Sequence, residues 1–188
     1  MINLIFGFPI PGQPHYPTYF NNVTGLSWVY NLNEEGPSES LVSYLPYVVK
    51  NTTRKALHVG AQTFAEGSSL VFSHMFNDIY NSTKPWIEEM LNANVRMMFY
   101  NGNLDIIVAA TLTEKFLNNL KGNKSSKFYS ADRKVWKVAQ EDRSVASYVK
   151  QVDNLYFAVI RNAGHVVTHD QPRVAKNLIT RFIKGLDY

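Results

Sequence analysis

Val95-Arg96-Met97-Met98-Phe99-Tyr100 and Leu155-Tyr156-Phe157-Ala158-Val159-Ile160 are short, nearly continuous apolar runs, each closed by turn-forming residues. Runs without polar alternation are expected of strands buried on both faces of a parallel sheet. The first ends in Asn101-Gly102-Asn103 and leads to Asp105; the second ends in Asn162-Ala163-Gly164-His165. Open sheets of this kind place their ligands beyond the carboxyl ends of the strands. The chemistry is therefore expected at Asp105 and His165.

Outward from these strands the period changes. Ala109–Leu120 (AATLTEKFLNNL) has helical spacing and is followed by Gly122, a candidate left-handed cap. Lys134–Ala139 and Ser147–Val152 are β-like, and Asp170-Gln171-Pro172 opens a helix through Val174, Leu178, Ile179, Phe182 and Ile183, closed by Gly185. Toward the N-terminus, Ser82-Thr83-Lys84-Pro85-Trp86 starts a helix that runs to about Asn92. Ser68–Tyr80 is helical through Val71, Met75 and Ile79, and an earlier helix begins near Asn51 or Thr52 and closes at Gly60. The Pro-, Gly- and Asn-rich stretch to about Pro46 reads as loop. The expected division is a helical, loop-rich segment over residues 1–94 and an α/β core over residues 95–188.

With 188 residues, 45% hydrophobic and 18% charged, the chain can bury a sizeable core, and disordered and collagen-like classes are excluded. No apolar run reaches the roughly 18 residues of a membrane span, and Met1–Ile10 lacks the basic start of a signal peptide. Zero cysteines exclude disulfides, thiolate nucleophiles and zinc fingers. Residues 1–94 hold four basic and seven acidic side chains and residues 95–188 hold fifteen and eight, so net charge passes from −3 to +7. Lys121–Lys150 is the densest basic stretch, but Asp132, Glu141 and Asp142 interrupt it as in a solvated face, and nucleic acid is not an expected partner.

Asp105 and His165 have the residue types of an acid–base pair. A carboxylate can fix the tautomer of an imidazole and stabilise its protonated form while the imidazole takes a proton from a nucleophile. Gly164 lets the backbone turn sharply ahead of His165. The order acid before histidine suits the arrangement serine, acid, histidine. No nucleophile elbow accompanies them: the contexts of Ser27 and Ser68 lack the second small residue. His165 and His169 stand four apart, but Thr168 and Asp170 indicate a turn there, and neither a metal site nor a cofactor is expected. His15, His58 and His74 have no partnered ligands in the sequence.

FYNGNLDIIVAATLTEKFL and FAVIRNAGHVVTHDQPRVAKNLITRFI resemble the last two catalytic segments of the serine carboxypeptidase family, in particular its vitellogenic-like branch. YFNNVTG, ALHVGAQTF, KPWIEEMLNANVRMMFYNG and VWKVAQEDRSVASYVKQVDNLYFAVIRNAGH agree, and the resemblance runs from about Phe20 to Phe182. It implies an α/β-hydrolase fold with a helical cap or insertion segment. It also implies removal of C-terminal amino acids from peptides by a Ser-Asp-His mechanism, in secreted or lysosomal settings.

By the same resemblance Asp105 is the triad acid, His165 the triad histidine, and Asn101-Gly102 the turn before the acid. Val166 stands where the family often has a methionine beside the leaving-residue pocket. Leu26 replaces a disulfide cysteine, and Asn103 replaces a common acidic residue. The family's serine lies in an N-terminal segment, so a partner segment supplying it is expected, and the 188 residues alone are expected to be inactive. A catalytically inactive fragment acting in binding or interaction is the alternative. Sequons at Asn22, Asn51, Asn81 and Asn123 point to a glycosylated parent.

Overall fold

A computed structural model describes residues 19–188 apart from 66, 80 and 122 and the side chains of Asn123 and Lys124. The described residues form two units, one of residues 19–28 and 34–81 and one of residues 29–33 and 82–188.

The first unit is helical: α1 (Tyr19–Thr24), α2 (Glu39–Val42), α3 (Leu45–Val48), α4 (Asn51–Ala56) and α5 (Ser69–Ile79). The first three lie in or at the edge of the stretch that reads as loop. They are four to six residues long, too short for a 3.6-residue period to register in the sequence. After α1 the Thr24 hydroxyl donates back to the Phe20 carbonyl at 2.7 Å, and Gly25 turns left-handed at φ 73°. α4 ends earlier than Gly60: His58, at φ 55°, already takes the left-handed conformation. α5 carries an apolar stripe of Val71, Phe72, Met75, Phe76 and Ile79, all of it exposed.

The second unit is built on one sheet. α6 (Lys84–Asn92) leads into β1 (Met97–Gly102), followed by α7 (Ala110–Asn118) and α8 (Asn123–Ser130). β2 (Lys134–Trp136), β3 (Ser147–Val152) and β4 (Leu155–Ile160) come next, then α9 (Val167–Asp170) and α10 (Pro172–Lys184). Strand order is β1-β4-β3-β2. β1 and β4 run parallel, in register from Met97↔Leu155 to Gly102↔Ile160; β3 is antiparallel to both β4 and β2.

Alternation along β4 explains its unbroken apolar text. Leu155 and Phe157 face a cluster with Leu91, Leu117, Leu120 and Phe128 from the α6–α8 side. Ala158 and Ile160 face Ala175 and Leu178 of α10 on the other side. β1 departs from expectation. Its Met97, Met98 and Phe99 are only half-buried and Tyr100 is exposed, because β1 is the edge of the sheet and only β4 pairs with it among the described residues.

Side chains tie the helices to the strands. Arg96 donates to the Phe182 and Ile183 carbonyls at 3.0 and 3.3 Å, satisfying the end of α10, and Gly185 closes that helix at φ 66°. Asn154 in the β3–β4 turn donates to the carbonyls of Leu91 and Val95 at 3.1 and 2.6 Å. α8, within the basic stretch, and the shorter extent of β2 also differ from the sequence expectation. Gly122 lies outside the described residues.

The basic stretch is not a uniform surface. Lys150 is buried on β3, with Nζ 3.2 Å from the Phe128 carbonyl, 3.4 Å from that of Tyr129 and 3.2 Å from Glu114 Oε1. Arg133 also pairs with Glu114. Burial alone would raise the Glu114 carboxyl, but the hydrogen bonds from Arg133 and Lys150 outweigh it and hold the group below its ordinary range. Burial pushes the Tyr188 phenol up to about 12, where its hydroxyl donates to the Leu178 carbonyl at 2.9 Å. Among the described residues no helix is long and apolar enough to cross a membrane.

Two backbone approaches join the ends of β1 and β4. A Cβ on Gly102 would lie 2.1 Å from the Ala163 carbonyl oxygen and 2.3 Å from that of Gly164. Gly102→Ala is expected to cost about 1–3 kcal/mol in urea unfolding; a loss below about 0.5 kcal/mol would show that the loops yield. Glu114 binds a proton less readily folded than unfolded, so its contribution is complete above the ordinary carboxylate value and drains as pH falls below it. Glu114→Gln is therefore expected to be less stable than the parent at neutral pH, with the gap narrowing in acid. A gap that widens in acid would contradict the ion-pair account.

Candidate active site

β1 and β4 are adjacent and parallel, so the loops at their carboxyl ends lie side by side. The first loop donates into the second: Asn103 N–H to the Ile160 carbonyl and Leu104 N–H to the Ala163 carbonyl, each at 2.9 Å. Residues 29–33 run against both. Leu32 N–H donates to the Leu104 carbonyl at 3.1 Å, Ile106 N–H to that of Val29 at 3.3 Å, and His165 N–H to that of Tyr30 at 2.6 Å.

Asp105 is 5% exposed. Its Oδ1 accepts from the backbone N–H groups of Ile107 at 2.8 Å and Val108 at 3.1 Å, a local turn that only Asp or Asn forms readily. With one oxygen held, Oδ2 points across to His165 Nδ1 at 3.0 Å. Asn101, at the end of β1, closes the same loop by donating to the Val108 carbonyl at 2.8 Å, while its Oδ1 is buried without a partner among the described residues.

The imidazole of His165 is about one-third exposed and sits edge-on to the Tyr30 ring, with centroids 5.0 Å apart. In the tautomer whose Nδ1–H donates to Asp105, Nε2 keeps its lone pair and can accept a proton from a hydroxyl. Gly164 is buried, and a Cβ there would lie 2.1 Å from the Tyr30 carbonyl oxygen and 2.7 Å from Asn31 Cβ. Only glycine lets residues 29–33 come this close to the histidine loop.

Asp105 and His165 are thus brought together. Val166 is half-buried and immediately precedes the single turn α9, at its N-cap. His169 does not join His165. Its Nδ1 meets Asp170 Oδ1 at 2.9 Å, so the two histidines take different carboxylates. Among the described residues no three His, Asp or Glu side chains gather as a metal ion would require. Asn22, Asn51 and Asn81 are exposed, and the Asn123 side chain lies outside the described residues.

Sequence reasoning missed Tyr30, Asn31 and the use made of Asp170. Asp-Gln-Pro resembles the opening of a helix, yet the Asp170 side chain does not cap α10. It turns back, and Oδ2 accepts from Gly164 N–H at 2.6 Å and Asn31 Nδ2 at 3.0 Å. Nothing in Tyr30-Asn31 distinguishes it locally from the loop around it.

Residues 21–185 match the family described as serine carboxypeptidase. The chain is 40% identical over 169 residues to a human protein named probable serine carboxypeptidase CPVL, covering 90% of this chain and 35% of the relative. It is 41% identical over 167 residues to the venom serine carboxypeptidase of Apis mellifera, covering 88% and 35%. With the vitellogenic carboxypeptidase of Aedes aegypti it shares 35% identity over 170 residues, covering 88% and 35%. The chain therefore spans about a third of the length of these relatives. In structure it resembles a prohormone-processing carboxypeptidase of Saccharomyces cerevisiae with a TM-score of 0.67 at 21% identity, covering 85% of this chain and 37% of that one. That likeness supports the α/β-hydrolase fold. A parallel strand pair delivering Asp105 to His165, within a chain matched almost end to end, makes this protein a member of the serine carboxypeptidase family.

Proposed function

We propose that Asp105 and His165 are the acid and base of a Ser-Asp-His carboxypeptidase, acting on peptides at their free C-terminus. The 3.0 Å contact between His165 Nδ1 and Asp105 Oδ2 carries this reading, because an Nδ1–H directed at the carboxylate leaves Nε2 to accept a proton. The serine belongs to a segment corresponding to the part of the relatives that this chain does not span. In support, β1 is an unpaired edge among the described residues, and the apolar stripe of α5 is exposed.

In that assembly Nε2 takes the proton of the serine hydroxyl as its oxygen attacks the last peptide carbonyl. Asp105 stabilises the imidazolium that results. The imidazolium then donates its proton to the departing amino group, the C–N bond breaks, and an acyl-serine remains. Water attacks the acyl carbon in turn as His165 accepts its proton; the imidazolium returns that proton to the serine oxygen, the ester C–O bond breaks, and the shortened peptide leaves as its free acid. Val166, next to the base, is placed against the leaving residue. Residues 95–188 supply the core segment, joined by residues 29–33 and α6, and the rest of residues 1–94 the cap or insertion. A secreted or lysosomal setting fits the exposed sequon asparagines.

Fluorophosphonate treatment of native material, selected with an antibody to the C-terminal tail, is expected to label a longer chain or a co-purifying one on denaturing mass analysis. His165→Ala should slow labelling by about 10³-fold or more. No label on native material with a mass near 21.5 kDa would point to a catalytically silent binding protein. Peptide N-glycosidase should lower the mass of the native protein by one to four glycans at Asn22, Asn51, Asn81 and Asn123. An unchanged mass would remove the glycoprotein reading.

A further inference from the structure

The base is held by more than its carboxylate partner. Asp170 is a nearly buried carboxylate whose side chain is 9% exposed, and both its oxygens are engaged. Oδ2 accepts from the backbone N–H of Gly164 at 2.6 Å and from Asn31 Nδ2 at 3.0 Å, and Oδ1 meets His169 Nδ1 at 2.9 Å. Gly164 immediately precedes His165. Asn31 immediately follows Tyr30, whose carbonyl accepts from His165 N–H at 2.6 Å and whose ring edge meets the imidazole. One carboxylate thus grips the residue before the histidine and the residue after its backbone acceptor. Asn31 and Asp170 lie 139 residues apart in the chain.

Resting on the reading of His165 as the base, we propose that Asp170 is a positioning residue. It clamps Gly164 and Asn31 so that the imidazole is presented to Asp105 with Nδ1 in line and Nε2 outward. Charge-assisted hydrogen bonds to a buried carboxylate are shorter and stronger than neutral ones, which suits a clamp that has to hold two backbone segments at once. The supporting shell fixes the orientation of the group that does chemistry, and loosening it misplaces that group without removing it. Asp170 itself touches no reacting atom in this scheme.

The test is nuclear magnetic resonance of the full chain with labelled histidine. It follows the hydrogen-bonded Nδ1 proton of His165 and the exchange rates of the Gly164 and His165 amides. In the parent the Nδ1 proton is expected to be observable and both amides protected. Asp170→Ala should lose the Nδ1 resonance and speed exchange of both amides at least about 10-fold, leaving β3 and β4 amides and the His58 and His74 resonances unchanged. Asp170→Asn keeps an acceptor oxygen in the same place and should restore the Nδ1 resonance. If Asp170→Ala does not fold, Asn31→Ala cuts the Tyr30 segment from the same carboxylate while leaving Gly164 bonded. It should broaden the Nδ1 resonance and speed its exchange, and an unaltered resonance would overturn the proposal. Asp170→Ala with an unchanged Nδ1 proton in a folded chain also overturns it, while leaving the Asp105–His165 pair intact. Absence of that proton in the parent chain would instead remove the pair itself, so the two failures are distinct.

Discussion

The parallel pairing of β1 with β4 is the constraint on which the site depends. In register from Met97↔Leu155 to Gly102↔Ile160, it ends both strands at the same level and sets their loops against each other. The absence of a Cβ at Gly102 then allows the Ala163 and Gly164 carbonyls within a distance that no other residue would permit. Shifting the register by one residue would turn Asn101 and Gly102 to the wrong faces and separate Asp105 from His165. The site is thus a product of strand register first and of side-chain chemistry second.

Around that pairing, polar groups are satisfied by long-range partners. Asp105 spends one oxygen on its own loop and keeps the other for His165. Asp170 holds Gly164 and Asn31 with Oδ2 alone, while Oδ1 meets His169 Nδ1. Lys150 and the half-buried Glu114 form an ion pair, completed by Arg133 and the carbonyls of Phe128 and Tyr129 in α8. A buried charge with several good partners is tolerated; one with a single partner removed is costly. The same rule explains why Lys150, which the sequence sets in a basic stretch, is buried with several partners of its own.

Much of the core was legible. β3 stands at the β-like stretch and β4 at the apolar run that the sequence shows, and α10 ends at the predicted glycine because an αL cap is a local property of Gly185. The single-turn helices α2 and α3 were not legible, since a turn of four residues is too short to show a helical period. β1 read as buried on both faces, but its side chains are half-exposed at a sheet edge, and hydropathy does not record which strands have two neighbours. At the site, Asp105 and His165 were visible as residue types at strand ends. Tyr30 and Asn31 were invisible, because their role depends on a segment more than a hundred residues away.

The sequence by itself determined the two apolar strands, the turn residues that end them, the helical periods and the family. Periodicity, capping and turn chemistry act over a few residues and are written in the local text. Only the tertiary structure decided that Asp105 and His165, 60 residues apart, meet at 3.0 Å, and that Asp170 turns back to Gly164 instead of capping its helix. Those outcomes follow from strand register and from backbone approaches closer than a methyl group allows, which depend on the packing of distant segments and have no local signature.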